Sequence, residues 1–268
     1  MQRKIRFSTV LLGVLAACQS DPKTARLPAH PLPAAPAAVS GPVAWTGAVD
    51  SLTAAQLPPL KKLPGKLLEA RRWTDALGEN LLVVYRTPSA LDKSNRPADE
   101  LPQYFTQLFA RQYTRQPGGT WQELWRLQDA VRKCPFDMWL GPLPGSICIT
   151  DLDQDGTTET TLIYKLTCRS DVSPSNLKLI MHEGAAKYAL RGQMVVQYDS
   201  VPLAQRVPAN VCCIDTISKA TLDAPEGYEL LAGRYRNEND FRQAPRPFLG
   251  FARAQWRRYI VRDEFEQL

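Results

Sequence analysis

Histidine is nearly absent from this chain: of its 268 residues only His30 and His182 are histidines. No Cys-x-x-Cys pair accompanies them, so a structural zinc site lacks its ligands. Gly-x-Ser-x-Gly, His-Glu-x-x-His and the P-loop are all missing, which removes the commonest signatures of serine hydrolases, metalloproteases and nucleotide binders. No Lys/Arg cluster interleaved with aromatics precedes the C-terminal segment, so nucleic acid is not an expected partner. Beyond residue 17 no stretch is apolar enough to cross a bilayer.

What is present begins at the N-terminus. Gln2-Arg3-Lys4-Ile5-Arg6 is basic, and Val10–Ala17 is an apolar run ending in small residues, the pattern of a secretory signal. Leu15-Ala16-Ala17-Cys18 resembles the lipobox read by lipoprotein signal peptidase. That resemblance implies removal of residues 1–17 and lipidation of Cys18, with the lipid alone holding the protein in the cell envelope outside the cytoplasm, at the outer membrane. Arg3, Lys4 and Arg6 leave with the signal, so the formal charge falls from +6 to +6 − 3 = +3. Pro22, Pro28, Pro31, Pro33, Pro36 and Pro42 among many alanines describe a semi-extended tether. Residues 45–65 stay Pro-rich but gain leucines, and the folded unit is expected to start near Lys66 and run to Leu268.

From Lys66 the pattern is mainly β, a series of antiparallel hairpins forming propeller-like blades or a sandwich. The pairs are Leu67–Trp73 with Leu81–Thr87, Tyr104–Thr114 with Trp121–Asp129, Ser146–Thr150 with Thr160–Thr167, and Leu177–His182 with Lys187–Arg191. The second pair also fits helical spacing, but Pro117-Gly118-Gly119 favours a strand turn. Tyr228–Tyr235 alternates like a further strand. Ala252, Trp256, Tyr259 and Ile260 then recur at helical spacing and predict an amphipathic helix over 251–262. Its arginines suit a solvated face or an anionic lipid surface.

The densest chemistry lies in Asp151-Leu152-Asp153-Gln154-Asp155-Gly156-Thr157-Thr158-Glu159. Carboxylates at positions 1, 3, 5 and 9 with Gly at 6 follow the order of a calcium loop, with the Thr157 carbonyl as a further oxygen. Position 12 is Leu162 rather than the Glu of an EF-hand, and helix signals are missing on both sides. The loop therefore resembles the strand–loop–strand calcium sites of integrin-type propeller repeats, although position 9 there is usually Asp and here is Glu159. The resemblance implies a structural calcium held by Asp151, Asp153, Asp155, Thr157 and Glu159. The shorter turn Asp75–Asn80 before Leu81-Leu82-Val83-Val84-Tyr85 looks like a relative of this loop without its acidic density.

With Cys18 lipidated, Cys134, Cys148, Cys168, Cys212 and Cys213 remain, and an oxidising compartment favours disulfides. Cys134 precedes a hairpin that Cys168 closes, so these two are expected to pair at one end of a sheet. Cys212-Cys213 is a vicinal pair, too strained to bridge easily within itself.

Thr150–Gly192 is similar to a family of bacterial surface lipoproteins described as surface polysaccharide biosynthesis proteins. Its motifs are the acidic loop, Tyr164-Lys165-Leu166-Thr167-Cys168-Arg169-Ser170-Asp171-Val172-Ser173-Pro174-Ser175, Leu177–Gly184 and Lys187–Gly192. The resemblance implies a mostly β domain at the cell surface linked to surface polysaccharide or its assembly proteins, and supplies no catalytic residue. The favoured function is a non-enzymatic, calcium-stabilised module. The alternative is a hydrolase or transferase acting on surface glycan through Asp171, His182 or Glu183. The polar loop Arg169–Ser175 has two readings, contacting a ligand or satisfying its own backbone.

Overall fold

The computed structural model describes residues 47–93, 101–171, 173–196 and 200–263. The signal segment, Cys18 and the Pro-rich residues 19–44 lie outside the described residues. Two antiparallel sheets organise the chain. The first contains β1 (Asp50–Ser51), β2 (Lys66–Asp75), β3 (Gly78–Arg86), β4 (Ala90–Leu91), β5 (Tyr104–Arg115) and β6 (Gln122–Cys134), in the order β1-β2-β3-β5, with β4 and β6 both on β5. The second contains β7 (Asp137–Pro142), β8 (Cys148–Thr150), β9 (Glu159–Arg169), β10 (Asn176–Glu183) and β11 (Ala186–Gln193), in the order β11-β10-β9, with β7 and β8 both on β9.

The runs Leu81-Leu82-Val83-Val84 and Leu162-Ile163-Tyr164 have no polar alternation because both faces of each sheet are covered. Leu82 and Val84 from β3, Leu162 and Tyr164 from β9 and Ile180 from β10 share one core between the sheets, so the arrangement is a sandwich and not a set of blades. Leu81 and Val83 point the other way, onto Phe109 and Tyr113, where Leu52, Leu57, Leu60 and Leu63 cover them. The tether assigned to 18–65 is therefore too long: residues 47–65 belong to the folded domain, and Leu52 N–H donates to Ala70 O at 3.0 Å. Their leucines are the reason, since they close an apolar face that water would otherwise meet.

On the outer face of the second sheet, Ile163, Leu177, Leu179 and Met181 pack against the C-terminal region. Its short helices α1 (Leu203–Arg206) and α2 (Lys219–Leu222) lead to α3 (Arg246–Tyr259). The helix starts five residues before the expected 251, because Pro247 stands in its first turn, where a missing N–H costs nothing. Phe248, Phe251, Ala252, Trp256 and Tyr259 form its buried stripe. Arg253 is paired to Glu238 at 2.6 Å and Arg257 donates to Ala209 O at 2.8 Å, so these two arginines serve the protein's own surface.

The expected strand Tyr228–Tyr235 does not form. Gly227–Leu231 is a 3-10 turn and Tyr235 alone bridges to Gly192. The chain crosses so close to β11 that a Cβ on Gly192 would lie 1.9 Å from Arg234 O, which only glycine permits. β7, unassigned in the sequence, follows Pro135, ends with Gly141-Pro142 and pairs β9 from Asp137↔Arg169 to Pro142↔Tyr164.

Cys134 and Cys168 are bonded across the two sheets with Cα atoms 5.7 Å apart, as an undistorted bridge requires. The sulfurs of Cys212 and Cys213 lie side by side, and Cys148 is free. Peptide mapping without reduction is expected to return Cys134 linked to Cys168; recovery of Cys134 joined to Cys148 would refute the pairing.

Candidate metal centre

The loop between β8 and β9 turns through two left-handed residues, Gln154 at φ 63° and Gly156 at φ 87°, and the second is a conformation glycine adopts without strain. The turn brings carboxylates together in two overlapping groups. Ligand oxygens of Asp151, Asp153 and Glu159 lie within 4.8 Å of one another, and so do those of Asp153, Asp155 and Glu183. The four expected carboxylates thus do not share one centre: Asp153 belongs to both groups, Asp155 faces Glu183, and Glu159 faces Asp151. The Thr157 backbone N–H donates to Asp155 Oδ1 at 2.6 Å.

Glu183 is the member the sequence did not assign to the ion. In the register of β9 and β10 it sits directly opposite Glu159, a like-charge cross-strand pair that destabilises a sheet unless something neutralises it. Its position was recoverable in principle, since pairing Thr160 with His182 puts residue 183 opposite residue 159. Glu159 is fully buried and accepts from Thr150 Oγ1 at 2.7 Å and from Leu152 N–H at 3.0 Å. Burial pushes its carboxyl up to about 7. Burial, followed by the charges of Asp153, Asp155 and Asp151, pushes Glu183 up to about 7 as well. Burial and the neighbouring Asp155 also raise Asp153.

The donor set fits a hard cation. Asp151 Oδ1, Asp153 Oδ1 and Glu183 Oε1 are buried without a hydrogen-bond partner, and buried carboxylate oxygens without donors are costly unless an ion satisfies them. The acidic groups can hold a metal ion.

No known family model matches the chain, nor does any curated protein or solved structure compared with it.

The site's geometry extends into the core. Ala76 N–H donates to Gly156 O at 2.8 Å, so the two turns whose sequences look related lie side by side. Asp75 Oδ2 accepts from Thr158 N–H at 3.1 Å and from Thr158 Oγ1 at 2.6 Å, and Trp73 Nε1 donates to that same hydroxyl at 2.7 Å. Asp75 Oδ1 accepts from Asn80 Nδ2, Asn80 Oδ1 accepts from Gln112 Nε2, and Gln112 Oε1 accepts from Trp125 Nε1 and Thr160 Oγ1. The His182 ring stacks on Trp125 with centroids 4.2 Å apart. A buried polar chain therefore crosses the sandwich just beneath the carboxylates.

His182 is part of this chain and not of an acid–base pair. It is 5% exposed, and Ala186 O lies 3.0 Å from Nδ1, which assigns the proton to that nitrogen. Burial, then Lys187, lowers its pKa to about 4. Asp171 stands beyond the opposite end of β10, about 20 Å away at ~3.3 Å per residue. Its Oδ1 accepts from Ser173 N–H at 2.8 Å and from the Ser173 hydroxyl, so this stretch of the polar loop satisfies its own backbone. His182 and Asp171 share no cleft.

A depressed folded pKa makes the neutral imidazole's contribution present above about 6.5 and lost as pH falls towards 4. Glu159 and Glu183 in metal-free protein act with the opposite sign, so the comparison must be between variants. Wild type is expected to lose about 3 kcal/mol more than His182→Gln between pH 7 and about 4. Urea unfolding of both proteins in chelator measures it, and parallel losses would disprove a buried neutral imidazole.

Proposed function

We propose that this chain is an exported, lipid-anchored β-sandwich that holds calcium in its β8–β9 loop and works without catalysing a reaction, in the assembly or display of surface polysaccharide. One observation carries the calcium assignment: three buried carboxylate oxygens have no donor, that of Asp151 in the group with Glu159, that of Glu183 in the group with Asp155, and that of Asp153 in both. An all-oxygen set of carboxylates is what calcium selects, and softer metals prefer nitrogen or sulfur, which this loop does not offer. Leu15–Cys18 supports the anchor and the Thr150–Gly192 resemblance supports the polysaccharide link. Among the described residues no helix is long and apolar enough to cross a membrane.

The enzymatic alternative needs His182, Asp171 or Glu183 acting together as acid and base on a substrate. His182 is stacked in the core, Asp171 stands at the far end of the sheet and Glu183 sits in the carboxylate group with Asp153 and Asp155, so the three form no common acid–base constellation and the non-catalytic reading is favoured.

Extracellular calcium modules bind at roughly 0.1–1 mM. At ten times the dissociation constant calcium therefore stabilises the fold by about 1.4 kcal/mol, raising the melting temperature by ~3–6 °C. Asp153→Ala, which removes the carboxylate common to both groups, is expected to abolish the response. A wild-type melting curve identical in calcium and in chelator would sink the site. For the biological role, deletion of the gene is expected to change capsule or lipopolysaccharide amount, and His182→Ala to restore it. Failure of a well-folded His182→Ala protein to restore it would move the reading to an enzyme, and an unchanged glycan profile would remove the polysaccharide link.

A further inference from the structure

At the end of the second sheet away from the carboxylates, a cleft of about 520 Å³ opens between the loop after β9, the segment after β11, α1 and the turn Gly227–Leu231. That volume falls within the range of small-molecule sites. Its floor is apolar and fixed by the backbone. Val195 is buried and donates from its N–H to Ile260 O at 2.8 Å, while Met194 N–H donates to Ser175 O at 2.8 Å. Val196 adjoins Val195 on the floor and accepts through its carbonyl from Arg206 Nη1 at 2.7 Å.

The walls carry groups of both hydrogen-bonding senses. Asp171 and Glu229 accept, and Arg206 donates. Arg206 Nε is buried without a partner among the described residues, a donor whose desolvation they do not offset. Hydrogen bonds from Ser173 hold the Asp171 carboxyl below its ordinary range, so it stays ionised. Tyr228, 60% exposed, presents an aromatic face at the rim, with its hydroxyl 3.5 Å from Glu229 Oε1.

These groups select a ligand class by exclusion. A cation meets the guanidinium, an anion meets two carboxylates, and an apolar molecule buries all three charges uncompensated. A neutral polyhydroxylated ring escapes each penalty. Its hydroxyls donate to Asp171 and Glu229 and accept from Arg206, while its C–H face packs on Tyr228. We propose that this cleft binds a neutral saccharide. The proposal rests on the polysaccharide reading for its biological setting, and on the cleft's own chemistry for the ligand class.

The test uses the full chain and saturation-transfer NMR with neutral tetrasaccharides built from glucose, mannose, galactose or N-acetylglucosamine. At least one is expected to bind with a Kd of about 1 mM or tighter. Tyr228→Ala and Glu229→Gln, both at exposed or rim positions, are each expected to weaken it about tenfold without moving the melting temperature. The proposal is overturned if no sugar of the panel binds, if either substitution leaves affinity unchanged, or if tetramethylammonium or an acidic oligosaccharide binds more tightly than every neutral sugar. Calcium-dependent melting of the same samples reads the opposite end of the sheet, and the deletion strain's glycan profile reads the polysaccharide link. Loss of sugar binding with those two intact therefore fails the cleft alone.

Discussion

Asp263→Ala is expected to destabilise the protein by about 3–5 kcal/mol, the cost of breaking a buried charge network from one side. Asp263 lies just beyond α3, its side chain 2% exposed, with Lys165 Nζ at 3.2 Å from Oδ1 and Arg169 Nη1 at 2.8 Å from Oδ2. Ser175 Oγ donates to the same carboxylate at 2.9 Å. Lys165 and Arg169 both project from β9, and Lys165 is 4% exposed at the side chain. The alanine variant takes away the carboxylate that both cations share while leaving them in a low dielectric. Asp263→Asn keeps the shape and the acceptor for Ser175 but drops the charge, so it should recover only a small part of the loss. Urea unfolding measures both, and a loss below about 1 kcal/mol for Asp263→Ala would show that water already reaches the network.

The strands are legible wherever local pattern and turn chemistry agree. Asp75–Gly78 and Gln116–Gly119 announce β2–β3 and β5–β6, and the acidic loop announces β8–β9. Legibility fails where the deciding contact is remote. Residues 47–65 read as tether because a Pro/Leu segment has no periodicity, and only the covered face of β3 and β5 shows that those leucines are core. Tyr228–Tyr235 alternates in sequence but not in burial, since Tyr228 is outside and Tyr235 inside for reasons set by Gly192 and Trp256. The site divides in the same way. Its loop carboxylates are contiguous and stand out in the sequence. Glu183 comes from another hairpin, and Asp75 from the other sheet, so neither announces its role in any window that includes the loop. Lys165 and Asp263, 98 residues apart, carry no local signal of their pairing.

Asp75→Ala is expected to cost about 3–4 kcal/mol and to weaken calcium about tenfold, although Asp75 lies in neither carboxylate group. Its two oxygens serve four donors: Leu77 N–H and Asn80 Nδ2 at 2.8 Å, Thr158 N–H at 3.1 Å and Thr158 Oγ1 at 2.6 Å. Asn80 and Thr158 are buried, so the donors they lose have little water to replace the carboxylate, and each buried unpaired group costs about 1–3 kcal/mol. The stability loss follows from that alone. The calcium loss has a different origin. Thr158 immediately precedes Glu159, and its clamp to Asp75, together with Ala76 N–H on Gly156 O, fixes one end of the loop against the first sheet. Freed from that clamp, the loop segment that carries Asp155 must be ordered by the ion itself, and the ordering cost is subtracted from binding. Thr158→Val separates the two effects. If the clamp is the link, Asp75→Ala and Thr158→Val are non-additive in calcium affinity, with a coupling of about 0.5–3 kcal/mol. Additive losses in isothermal titration would mean that Asp75 supports the fold without preorganising the metal loop.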